Sequence, residues 1–124
     1  MTKTVLLVDD NEVNRYLAQY LLEQAGLAVV TAVNGHEALE LARRHRPHLV
    51  LMDIQMPGLD GYSATEQFKA DPALAAIPVL ALTAFATPAD RERAERAGCV
   101  AHISKPIDPE LLLAQVRAFA ASGY

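Results

Sequence analysis

Five short apolar runs recur along the chain: Val5-Leu6-Leu7-Val8, Ala28-Val29-Val30-Thr31, Leu49-Val50-Leu51-Met52, Val79-Leu80-Ala81-Leu82 and Val100-Ala101-His102-Ile103. Each is short and apolar nearly throughout, the pattern of strands buried on both faces. Between them the spacing turns helical. Val13, Leu17, Tyr20 and Leu21 form one face of a first helix, and Ala38, Leu39 and Ala42 repeat the pattern. Leu112, Val116 and Phe119 give it again near the end. Gly26 and Gly98 fall where helices end, while Thr87-Pro88 and Asp108-Pro109 read as N-caps followed by proline in the first turn. A further helix is expected between Leu59 and Ala70, its start blurred by Gly58 and Gly61. The alternation is (βα)5, which demands a parallel sheet with right-handed crossovers and helices on both faces.

The 124 residues suit one domain, residues 1–124, with a substantial core and no repeat or linker. A hydrophobic share of 52% excludes an intrinsically disordered chain. No apolar run approaches the roughly 18–20 residues of a membrane span, and Met1-Thr2-Lys3-Thr4 leads straight into a strand-like run, so a signal peptide is not expected. Eleven Lys and Arg against 15 Asp and Glu give a net charge of −4, which argues against direct nucleic-acid binding. The lone Cys99 fits a reducing compartment, so a cytoplasmic location is expected.

In a parallel sheet of this kind, function gathers at the carboxyl ends of the strands. The first strand is followed by Asp9-Asp10-Asn11-Glu12, the third by Asp53, the fourth by Thr83 and the fifth by Ser104-Lys105-Pro106. If the central strands are neighbours, Asp9, Asp10 and Asp53 converge. Two such charges about 4 Å apart repel by roughly 4 kcal/mol even at an effective dielectric near 20. Raised carboxyl pKa values or a bound cation must offset this, and an all-oxygen set suits Mg²⁺. Lys105 and Thr83 add a cation and a hydroxyl, completing a constellation for a phosphoryl group on a nucleophilic carboxylate. The plainer alternative is that Asp9-Asp10-Asn11 only caps a helix and Lys105 only pairs with an aspartate. Four strand ends supplying complementary parts argue against coincidence.

Val8-Asp9-Asp10-Asn11, Met52-Asp53-Ile54-Gln55-Met56-Pro57-Gly58, Leu82-Thr83-Ala84 and Ser104-Lys105-Pro106 together resemble the signature of response-regulator receiver (CheY-like) domains. The resemblance covers the whole chain. Ala81 to Ala86, Ala97-Gly98-Cys99 and His102 to Ile107 look most like stand-alone DivK-type receivers, and receivers of hybrid histidine kinases are similar. It implies an α/β, flavodoxin-like sheet of order 2-1-3-4-5 and a two-component phosphorelay switch with no small-molecule turnover. Asp53 would accept a phosphoryl group from a phosphohistidine. Asp10, Asp53 and the Gln55 backbone carbonyl would ligate Mg²⁺, with Asp9 acting through water. Thr83 and Lys105 would hold phosphoryl oxygens, and the Lys105-Pro106 bond would be cis. The partners implied are a sensor histidine kinase or a histidine phosphotransfer protein, met by a monomer or a phosphorylation-dependent dimer.

Two positions depart from the family pattern. The switch position, usually Tyr or Phe, is His102, which either follows Thr83 inward or is simply a polar residue on a strand. Phe85, with uncharged Gln55 opposite, is expected to position attacking water poorly and so slow hydrolysis of the acyl phosphate; its alternative role is packing. Asn14, Arg15, Ala18 and Leu22 are expected beside the acidic patch, where relatives dock their phosphodonor; for Leu22 a core position fits the periodicity equally well. The charged helix Pro88–Ala97 reads as a self-paired solvated face or as part of the surface that changes on phosphorylation. Cys99 reads as a buried filler, and His36, His45 and His48 as incidental. A flavin or nucleotide binder of the same fold needs a phosphate loop where this chain has Asp9-Asp10-Asn11-Glu12. An aspartyl-phosphate hydrolase typically carries a second aspartate where Gln55 stands. A receiver from a hybrid kinase is the alternative that shares the chemistry.

Overall fold

The computed structural model describes residues 3–56, 60–84 and 87–122. Five strands alternate with five helices: β1 (Thr4–Val8), α1 (Glu12–Gln24), β2 (Ala28–Ala32), α2 (Gly35–His45), β3 (Leu49–Asp53), α3 (Gly61–Ala70), β4 (Val79–Thr83), α4 (Pro88–Ala97), β5 (Ala101–Ser104) and α5 (Pro109–Ser122). All pairings are parallel, in the order β2-β1-β3-β4-β5. The expected doubly wound architecture is therefore present. Alternating strand residues feed two apolar layers. Val5, Leu7, Leu49, Leu51, Leu80 and Leu82 meet Ala18 and Leu22 of α1 and Leu112 and Val116 of α5. Leu6, Val8, Val50, Met52, Val79 and Ala81 meet α2, α3 and α4, with Phe68 fully buried among them.

The central strands β1, β3 and β4 are buried along almost their whole length. The expectation of two-face burial fails at the ends of the sheet. β2 and β5 are edge strands and only partly covered, and the last run begins its strand at Ala101, leaving Val100 exposed. In α1, Val13, Leu17 and Tyr20 lie 74%, 48% and 52% exposed, while Ala18 and Leu22 carry the burial. Both flanks of this helix are apolar, and the small Ala18 side belongs against the sheet.

Punctuation behaves as expected. Gly26 and Gly98 take positive φ, and Thr87 caps α4 with Pro88 in its first turn. Asp108 accepts the N–H of Glu110 at 3.0 Å, opening α5. The Lys105-Pro106 peptide is cis. Cys99 is buried beside Thr65. His48 is not incidental, because its Nδ1 accepts the Thr4 N–H at 3.1 Å and ties the start of β1 to the loop before β3. Among the described residues, no helix is long and apolar enough to cross a membrane.

Candidate functional site

Strand register fixes the site. Val8 pairs with Met52, and Asp53 with Leu82, so Asp9 and Asp53 emerge from adjacent strands at the same edge of the sheet. Asp9 and Asp53 are 1% and 2% exposed, whereas Asp10 faces solvent. Ligand atoms of Asp9, Asp10 and Asp53 lie within 4.8 Å of one another. Thr83 ends β4, buried, and pairs in register with Ser104, so Lys105 follows on the next strand. Its ammonium stands 3.2 Å from Asp53 Oδ2 and 3.6 Å from Asp9 Oδ2.

Backbone amides orient the carboxylates. The Gln55 N–H donates to Asp53 Oδ1 at 3.0 Å, and the Asn11 N–H to Asp9 Oδ1 at 2.9 Å. Asn11 in turn caps α1 by accepting the Asn14 N–H, so the capping role weighed for this segment is real and coexists with the cluster. Arg15 donates to the Asp9 carbonyl at 2.9 Å, clamping the peptide between Asp9 and Asp10. Burial pushes the Asp53 carboxyl up to about 6. The Gln55 N–H opposes that shift, Asp9 adds repulsion, and Lys105 pulls it back. The donor set is all carboxylate oxygen, tightly clustered and open to water through Asp10, which fits a hard divalent cation.

The other expected residues divide. His102 is half-buried on β5 opposite Ala81, on the sheet face that carries α4 and two residues short of Ser104. Phe85, Pro57 and Gly58 lie outside the described residues. Asn14 and Arg15 flank the site, but Ala18 and Leu22 are core side chains that no partner can reach; Val13, Tyr16, Leu17 and Tyr20 are the exposed apolar residues of α1. Asn14 and Leu17 border a cavity of about 380 Å³ closed by Lys105, Pro106 and Ile107.

Sequence reading missed a second cleft of about 390 Å³ beside Thr83 and Gln55, walled by Met56, Tyr62, Asp90 and Arg93. Arg93 lies 4.2 Å over the Tyr62 ring and joins α3 to α4 there. Nothing in local spacing pairs these residues, since they meet only through the α3–α4 packing.

Such a sheet, with carboxylates, a lysine and a hydroxyl at its carboxyl edge, defines a phosphoryl-handling α/β domain. The model of the response regulator receiver domain matches residues 5–117. The chain belongs to that family. It is 45% identical over 119 residues to the polar-differentiation response regulator DivK of Brucella anthropi, covering 96% of this chain and 97% of that one. Among solved structures it resembles the chemotaxis protein CheY4 of Vibrio cholerae, with a TM-score of 0.92, 28% identity and coverage of 96% and 99%. It also resembles the receiver domain of a Pseudomonas aeruginosa sensor histidine kinase, with a TM-score of 0.91, 34% identity and coverage of 98% and 100%. That structure holds a magnesium ion coordinated in its active-site cleft.

Proposed function

We propose that this receiver is switched by a phosphoryl group accepted on Asp53. The observation that carries the reading is the buried carboxylate of Asp53, held by the Gln55 amide, contacted by Lys105 and crowded by Asp9 and Asp10. In the transfer, the P–N bond of a partner's phosphohistidine breaks and its electron pair stays on the imidazole. An oxygen of ionised Asp53 forms the new P–O bond. Lys105 meets one phosphoryl oxygen, and Thr83, at the end of the next strand, meets another. Mg²⁺ held by Asp10, Asp53 and the Gln55 carbonyl, with Asp9 through water, would neutralise charge on the phosphoryl oxygens.

The donor is a sensor histidine kinase or a histidine phosphotransfer protein. Leu17 of α1 lines the cavity beside Lys105, and the exposed Val13, Tyr16 and Tyr20 extend the apolar surface such docking needs along the same helix. Output runs through altered protein contacts, with Thr83 and His102 as the moving pair and α4 as the face that changes. The likeness to DivK favours a role in cell polarity over one in chemotaxis.

The test is intact mass after incubation with acetyl phosphate, with and without Mg²⁺. A Mg²⁺-dependent gain of one phosphoryl group, about 80 Da, absent in Asp53→Asn, is expected. No gain in a folded, Mg²⁺-binding sample would refute the assignment.

A further inference from the structure

The first turn of α3 lies directly on the peptide that follows Asp53. A Cβ on Gly61 would stand 2.4 Å from the Asp53 carbonyl oxygen, 2.6 Å from the Ile54 Cα and 3.0 Å from the Asp53 carbonyl carbon. All three are backbone atoms, so no side chain can swing aside. Gly61 is helical rather than left-handed, so the close approach is what calls for glycine here.

Several bonds hold the turn in place. The Gly61 N–H donates to the Ile54 carbonyl at 3.3 Å, and the Gly61 carbonyl accepts the Thr65 hydroxyl at 2.7 Å. Asp60 caps the helix by accepting the Ser63 N–H at 2.8 Å. The 53–55 segment is thus gripped twice: by the turn of α3 against its backbone, and by the Gln55 N–H hooked onto Asp53 Oδ1.

We propose that Gly61 is a positioning residue for Asp53. By letting α3 seat on the 53–54 peptide, it fixes the end of β3 in the geometry that presents the Asp53 carboxylate and the Gln55 backbone together. This rests on the phosphoacceptor reading above. An alanine would force the two segments apart by roughly 0.6 Å or more before its nearest contact relaxed to 3.0 Å. Displacements of about 1 Å in such sites cost on the order of a hundredfold in rate.

The test compares Gly61→Ala with Gly98→Ala. A Cβ at Gly98 meets the flexible stem of Lys69 and strains a positive φ, so that variant loses stability without touching Asp53. Four quantities are measured on each full chain: melting temperature, Mg²⁺ affinity by calorimetry, exchange of the Gln55 amide by NMR without metal, and initial phosphorylation by acetyl phosphate at saturating Mg²⁺. Gly61→Ala is expected to phosphorylate roughly ten- to a hundredfold more slowly, bind Mg²⁺ several-fold more weakly and exchange its Gln55 amide faster. Gly98→Ala should match wild type in all three. Equal behaviour of the two variants in those three measurements overturns the proposal. Should Gly61→Ala not fold, Asp60→Ala keeps the glycine but frays the same turn, and must shift the three quantities in the same direction or the proposal fails. If the wild-type chain takes up no phosphoryl group, the phosphoacceptor reading falls, while the Mg²⁺ and amide measurements still decide the positioning role.

Discussion

Replacing Asp53 by asparagine should make the metal-free protein more stable near neutral pH. The unfolded chain ionises this carboxyl at 3.8, whereas burial beside Asp9 holds it protonated to about 6 in the folded state. Between those values the folded state binds more protons, so stability falls as pH rises through the window. Above pH 6 the full cost is present, about 3 kcal/mol at roughly 1.4 kcal/mol per pH unit of displacement. Asparagine keeps the shape and an oxygen for the Gln55 N–H but carries no charge to desolvate. The Lys105 contact is already contained in that balance, so the net gain is about 3 kcal/mol, or on the order of 10 °C in Tm for a chain of this length. The assay is thermal unfolding of wild type and Asp53→Asn at pH 7.5 and pH 4.5 in EDTA. The gain should be large at pH 7.5 and about a third as large at pH 4.5, which lies only about 0.7 pH units above the unfolded value of 3.8. Adding Mg²⁺ at pH 7.5 should raise wild type alone, because only its intact carboxylate set binds the ion strongly. An asparagine variant that melts at or below wild type at pH 7.5 without metal, or a gain independent of pH, would refute the reasoning.

Lys105→Ala removes the cation facing Asp9 and Asp53 and should push the Asp53 carboxyl higher still. Urea titrations should show a loss of about 1–3 kcal/mol at pH 7.5 that shrinks at pH 5, along with a collapse of phosphorylation. On α1, Leu22→Ala should cost about 3 kcal/mol, whereas Leu17→Ala should cost under about 0.5 kcal/mol yet weaken capture of the phosphodonor protein. Phe85→Ala or Phe85→Glu should shorten the acyl-phosphate half-life, followed by loss of the phosphorylated mass over time; a half-life of minutes in wild type, shorter than in either variant, would sink that idea.

Much of this molecule was legible before any coordinates. The apolar runs mark five strands because a parallel sheet covered on both sides along its central strands leaves little room for polar positions; Asp9, Asp53 and Thr83 each stand where such a run stops, and Lys105 one residue beyond the end of β5. Legibility failed where a position's environment depends on long-range packing. Val13 and Ala18 sit on opposite flanks of one helix, and both flanks are apolar. Periodicity therefore found the helix but not its inner side, and took the exposed stripe for the buried one. The Arg93–Tyr62 stack and the Gly61 contact join segments through helix packing, and no spacing rule links them. His48 was invisible for the same reason, its bond partner Thr4 lying 44 positions away.

The same arithmetic that destabilises Asp53 explains why a covalent mark on it can act as a switch. A domain of this size has on the order of 5–15 kcal/mol of stability, and one ionised carboxylate at the end of β3 consumes several of them. That cost falls on the last residue of β3, at the carboxyl edge of the sheet, and on a side chain that belongs to neither apolar layer. Lys105 already spans Asp53 and Asp9, so it is divided between two anions in the resting protein. A phosphoryl group on Asp53 replaces a single buried charge with about two and adds oxygens facing Thr83 and Lys105. The balance at the rim then favours whichever arrangement brings those donors inward. In the proposed switch Thr83, at the end of β4, moves toward the phosphoryl group and His102, on the neighbouring β5, follows on the face that carries α4. On that proposal the signal passes from the carboxylate along the rim of the sheet to α4, with both apolar layers left as they are.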